Sequence, residues 1–134
     1  MVEFFVPGHP ATQGSKDQFG RESCKRLPEW RGRVAAFASE HVPAGWHQNG
    51  PIVVTVTFTI RRAKGHWKRN GDLTKGAPLL PIGRTGDVDK LARAILDGLT
   101  GIFFADDSQV VELMAMKRYQ QTMEDATGAL IVVS

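Results

Sequence analysis

Asp87 and Asp89 stand one residue apart, and a second acidic pair, Asp106 and Asp107, follows further along the chain. Carboxylates offer only oxygen donors, the ligand set that selects Mg²⁺ or Mn²⁺ over softer metals. Brought together, Asp87, Asp89 and Asp107 are candidate metal ligands for phosphodiester hydrolysis. One metal would lower the pKa of an attacking water, and a second would stabilise the leaving 3′ oxygen. Inside a helix, residues two apart diverge by about 200°. The first pair can therefore share a metal only if Asp87 precedes a helix in extended backbone and Asp89 lies in its first turn. A helix N-terminus there would also favour negative charge. The alternative is structural: aspartates at helix starts are commonly caps, and Asp-Asp-Ser is ordinary turn chemistry.

The elements that must position these acids are legible around them. Leu91, Ala94, Ile95 and Leu99 repeat at the spacing of one buried helical stripe, widened by Ala92 and Leu96. Gly86 and Asp87 supply the entry, with Asp87 at the N-cap, and Gly98 and Gly101 the exit. Ile102 to Ala105 is too short for a helix and rich in strand formers, so it reads as a short apolar strand. Asp107, leaving that strand, is expected to close the site where the helix begins.

The run DVDKLARAILDGLTGIFFADDSQVVEL, residues 87–113, resembles the signature of RusA-type Holliday junction resolvases, often carried by phages. That signature is Asp-x-Asp, a hydrophobic helix ending in Leu-Asp-x-Leu, a short apolar strand and Asp-Asp-x-Gln-Val. The start VPGHPATQGSK is similar to the first strand and loop of phage-borne members. The resemblance implies a homodimer that cuts four-way DNA junctions with Mg²⁺ or Mn²⁺, its essential carboxylates falling on Asp87, Asp89 and Asp107. The family's helix cation, usually Lys, falls on Arg93. Arginine keeps its proton at any working pH, so a phosphate clamp or a support for Asp89 is the role left to it. Lys90 stands where the family often has Asn, placing a cation beside the acids.

The cations cluster. Between residues 61 and 84, Arg61, Arg62, Lys64, Lys68, Arg69, Lys75 and Arg84 face a single acid, Asp72. Gly, Asn and Pro forbid long regular structure there. A basic loop just before an acidic cluster is read as a DNA-backbone contact, the alternative being a solvated loop. Trp67 within it is a candidate for stacking on an unpaired base. Lys16, Arg21, Lys25 and Arg26 make a second basic loop near the start, partly offset by Asp17 and Glu22. The candidate DNA contacts are Lys16, Arg61, Arg62, Lys64, Lys68, Arg69, Arg84, Lys90 and Arg93.

The remaining elements are strands at 2–6, 52–60, 109–119 and 129–133, and a helix from Pro28 along Trp30, Val34, Phe37, Ala38 and His41. Apolar residues on both faces of 109–119 predict a central strand. The order β, α, β, α, β, β, β predicts an α+β fold, one RusA-like domain over 1–134 with a small mixed sheet and two helices. The chain of 134 residues has net charge +3 and a sequence pI of about 9.3, weakly favouring a polyanionic partner. Cys24 is alone, which excludes an internal disulfide and, with scattered histidines, argues against structural zinc. No apolar run approaches bilayer length, and Glu3, Pro7 and His9 break any secretory signal, so a cytoplasmic protein without membrane partners is expected. Paired nicks across a junction need two matched sites, hence a two-fold dimer. Two rival readings remain: a non-catalytic DNA-binding protein using the 61–84 loop, and an interaction protein pairing through an exposed strand.

Overall fold

The computed structural model describes every residue except Ser15 and Glu22; the acid Glu22 of the basic loop near the start thus lies outside the described residues. The elements run β1 (Val2–Pro7), α1 (Leu27–Ser39), β2 (Ile52–Ile60), α2 (Val88–Leu99), β3 (Val110–Tyr119) and β4 (Gly128–Val133). They form one four-stranded sheet in the order β1-β4-β2-β3. β4 pairs antiparallel with both β1 and β2, and β2 pairs parallel with β3. The mixed sheet with two helices is the α+β arrangement expected.

Register explains the core. Phe4, Ile131, Val56 and Ala115 make one row across the sheet, and Val6, Ala129, Phe58 and Lys117 make the next. The apolar members of these rows join one core with Trp30 and Val34 of α1 and with Leu91, Ile95 and Leu99 of α2. β2 is the strand its alternation predicts, with Ile52, Val54, Val56 and Phe58 buried. The opposite face carries Thr55, Thr57, Met114, Met116 and Leu130, and the last three stay exposed.

α1 buries Leu27, Trp30, Val34 and Ala38. It stops at Ser39, so His41 lies beyond it, stacked on Phe4 at a 5.0 Å ring separation. Its contact with α2 explains Gly98, which is not the helix exit. Gly98 sits inside α2, where an added Cβ would stand 2.7 Å from Cγ1 of Val34. The exit is Gly101, at φ +84°.

The segment 102–105 is a turn rather than a strand. Thr100 bridges Phe104, and the amides of Ile102 and Phe103 both donate to the Leu99 carbonyl. Phe103 and Phe104 are fully buried. Burying each contributes about 2–3 kcal/mol, so a tight turn that sinks both rings outweighs local strand propensity. β3 is likewise an edge strand, not a central one. Among the described residues no helix is long and apolar enough to cross a membrane.

Candidate active site

The mouth of α2 has the geometry the acidic spacing demands. Asp87 occupies the N-cap with extended backbone, φ −72° and ψ 134°, and Asp89 follows in the first turn. Asp87 makes no side-chain capping bond. Its carboxylate meets Lys90 Nζ at 3.6 Å, and both Asp87 and Asp89 are exposed. Two carboxylates thus stand at a helix N-terminus, where the helix field stabilises their charge.

Three tethers fix this mouth. Lys117 reaches from β3 to donate to the Gly86 carbonyl at 2.6 Å and to Thr85 Oγ1 at 3.0 Å. The Thr85 hydroxyl donates to the Pro81 carbonyl at 2.6 Å. The Gln13 amide donates to the Lys90 carbonyl at 3.0 Å, pinning the first loop to the first helical turn. Gly86 adopts φ +94°, the left-handed turn that delivers Asp87 in extended form, with Thr12 close against it. Lys117 is a positioning residue that sequence reasoning missed. Its signal was a lone cation on the strand face otherwise made of Leu113, Ala115 and Tyr119.

Two cationic clefts flank the mouth. The first, about 610 Å³, carries Arg26, Arg61 and Arg84 at its rim, with Ile60, His66 and Tyr119 among its lining. The second, about 500 Å³, carries Lys16, Lys25, Arg31 and Arg93. Among the described residues no Asp or Glu lines either one. The loop from His9 to Gly14 divides them: Thr12 lines the first cleft and Gln13 and Gly14 the second. Arg93 lies against this divide, since a Cβ on Gly14 would come within 2.8 Å of its Nη1. Arg26, a cation of the N-terminal basic loop, lines the first cleft, and Arg31 on α1 lines the second. Arg31 was not among the expected contacts because it stands outside both basic runs of the sequence.

Arg62 also lines the first cleft, but its guanidinium is bonded to the protein itself. Arg62 is 3% exposed and cannot serve as a surface phosphate contact. Its Nε donates to the Gln120 carbonyl at 2.7 Å and its Nη1 to the Pro78 carbonyl at 2.7 Å. The guanidinium also lies 4.7 Å from the Tyr119 ring centre and 6.0 Å from that of Trp67. Arg62 therefore clamps the basic loop to the sheet, and Trp67, half-buried and bridged to Leu73, is part of the same clamp. Lys64, Lys68 and Arg69 are exposed on the loop outside both clefts.

The second acidic pair does not join the first. Asp87 begins α2, whereas Asp106 and Asp107 follow its far end, across roughly 18 Å of helix rise. Among the described residues no three acids, histidines or cysteines gather as a metal site. The expected convergence within one chain is thus corrected: helix and turn carry the acids apart. Asp106 serves as a cap, its side chain accepting from the Ser108 amide at 2.8 Å while Gln109 caps back. That amide bond holds the Asp106 carboxyl below its ordinary pKa. Asp107 is exposed in the 3₁₀ turn that follows.

A small α+β protein with paired acids at a helix mouth, bracketed by acid-free cationic clefts, offers its cations to a phosphodiester backbone. The family model of endodeoxyribonuclease RusA matches residues 7–126, so the chain belongs to the RusA family. Membership indicates an endodeoxyribonuclease of the Holliday junction class and implies binding of branched DNA. No curated protein matches the chain in sequence.

Proposed function

We propose that the protein is a divalent-metal-dependent Holliday junction resolvase acting as a homodimer in the cytoplasm, in DNA recombination or repair. Each of its two sites would comprise Asp87 and Asp89 of one copy and Asp107 of the other. The observation that carries this reading is the exposed carboxylate of Asp87: it holds the N-cap position yet makes no capping bond, meeting Lys90 at 3.6 Å instead. The oxygen-only donors suit Mg²⁺ or Mn²⁺. Two acids from one chain leave the set incomplete, and the distance to Asp107 supports its entry from a second copy. Bound there, the metal would lower the pKa of the attacking water and stabilise the departing 3′ oxygen.

The chain's own residues supply orientation and charge. Phosphates on either side of the scissile bond would lie in the two clefts, against Arg61 and Arg84 in one and Lys16 and Arg93 in the other. Lys90, now paired with Asp87, would turn to the phosphate as negative charge gathers. Lys117 would keep Asp87 at a fixed height above β3.

Complementation between dead variants tests this reading. Asp89→Asn and Asp107→Asn are each expected to bind a synthetic four-way junction and fail to cut it in Mg²⁺. Mixing them after mild dissociation forms heterodimers in which one site has all three wild-type acids. Single nicks should return in the mixture without paired resolution. No recovery would overturn the shared site. Tight junction binding without cleavage by the wild type in either Mg²⁺ or Mn²⁺ would overturn the enzyme reading and leave a DNA-binding protein.

A further inference from the structure

The loop that leads into the acidic pair shows aliphatic side chains to solvent. Leu79, Leu80 and Ile82 are 80%, 66% and 80% exposed. Single exposed aliphatics are ordinary, whereas a cluster of them marks an interaction surface. The segment that carries them is held. The Pro78 carbonyl accepts from Arg62 Nη1 at 2.7 Å, and the Pro81 carbonyl accepts from the Thr85 hydroxyl at 2.6 Å. Between Leu80 and Ile82 the backbone closes a three-residue turn, the Ile82 amide donating to the Leu80 carbonyl at 3.0 Å. Pro81 at its centre is buried, and its ring fixes φ. The turn thus docks through its middle residue and leaves both flanking side chains in solvent. A backbone already held has little freedom to lose when those side chains meet a partner.

We infer that Leu79, Leu80 and Ile82 form an apolar wedge that enters the branch point of the junction and packs against unstacked base faces. This rests on the junction resolvase proposed above and names the part of the substrate that this loop meets. Charge selects nucleobases as the occupant. Residues 73–86 include Lys75 and Arg84 and no acid. Aliphatic bulk set among cations suits a partner whose apolar surface lies between phosphates, as base faces do. The same loop of a second copy would bring like charge against like. Position agrees. Ile82 lines the first cleft with Arg61 and Arg84, and the wall of that cleft continues to Gly86, next to Asp87. A phosphate held by these arginines brings its own base step to Ile82. Leucine and isoleucine carry no hydrogen-bonding side-chain groups, so they part bases without reading them. Within continuous duplex every step is stacked, and opening one costs its full stacking. At a four-way branch the strands exchange between helices and stacking is already interrupted, so the wedge enters there at least cost. It favours branched over linear DNA without reading sequence.

A fluorescent adenine analogue, quenched by stacking and placed at the branch, reads this unstacking directly. Binding would be followed in EDTA, so that cutting does not intervene. Wild type should raise the emission about twofold or more on a four-way junction and leave it unchanged on a linear duplex. Leu80→Ser/Ile82→Ser should abolish the rise and lower the preference for junction over duplex about tenfold, while duplex affinity holds. Both side chains are exposed, so urea unfolding of this variant should match wild type. Leu80→Ile/Ile82→Leu keeps the aliphatic bulk and should keep the rise. An equal rise in the double serine variant, or none in wild type, would overturn the wedge. A double serine variant with a lower molar mass than wild type by light scattering would also overturn it, and would assign the patch to contact between copies. A wild type that unstacks the branch yet cuts in neither Mg²⁺ nor Mn²⁺ would overturn the nuclease reading and leave the wedge standing.

Discussion

The two ends of α2 carry similar acidic pairs in different surroundings. At the N-terminal end Asp87 holds the capping position without capping, and Asp89 stays exposed beside it. At the C-terminal end Asp106 is committed to the Ser108 amide, with Gln109 closing the box and also donating to the carbonyls of Gln48 and Gly50. Beneath it Phe103 is wedged between Phe4 and Trp46, whose indole donates to the Phe103 carbonyl. The Asp106 cap contributes stability, whereas Asp87 makes no capping bond and is ion-paired with Lys90 at 3.6 Å. What separates a capping aspartate from a non-capping one is thus the partner each has found, which residue type and spacing do not show.

The largest expected effect contrasts the ends directly. Asp89→Asn should lower junction cleavage by about a thousandfold, as loss of several kcal/mol of metal-ion stabilisation would do, with folding stability unchanged. Asp106→Asn should keep cleavage within about threefold, because Asn still caps. Single-turnover cleavage of a four-way junction measures both, and equal inactivation would erase the contrast.

A middle-sized pair sharpens it. Gly98→Ala pushes a methyl into Val34 and should cost about 1–3 kcal/mol in urea unfolding, the usual penalty of overpacking. Lys117→Met should leave junction binding near wild type and lower cleavage roughly tenfold, about the worth of one charged hydrogen bond. If Gly98→Ala reduced catalysis without reducing stability, the assignment of the two ends would be reversed.

The smallest effect is a pH dependence. The Asp106 carboxyl lies below its ordinary pKa because the Ser108 amide donates to it. A depressed folded-state value means stability is gained above the unfolded value and lost as pH falls through the folded one. The stability advantage of wild type over Asp106→Ala should therefore be full at neutral pH and shrink below about pH 4. An advantage that is constant from pH 7 to pH 3 would show that the carboxylate charge plays no part in the cap.

Much of this was legible in the sequence where periodicity is long. The stripe Leu91, Ala94, Ile95, Leu99 gave α2, and the alternation from Ile52 to Phe58 gave β2 within the bounds observed. Short apolar runs were ambiguous. Ile102 to Ala105 looked like a strand because a buried turn and a buried strand need the same side chains. β3 read as central because its apolar residues occupy both faces, yet it lies at the sheet's edge, beside β2. The separation of Asp107 from Asp87 was hidden because spacing along a chain does not give its direction in space. Arg62 was counted among surface cations because the carbonyls of Gln120 and Pro78 that receive it come from distant segments.

The sheet order has a consequence for the timing of synthesis. β4 follows the other three strands in the chain yet lies between β1 and β2, so β1 has no strand neighbour until β4 is made. A ribosome-bound chain lacking 128–133 would hold β1 apart from the rest of the sheet, and the sheet would complete only after β4 has left the exit tunnel. Stalled nascent chains should accordingly turn protease-resistant in one step as β4 clears the tunnel, rather than gradually with length.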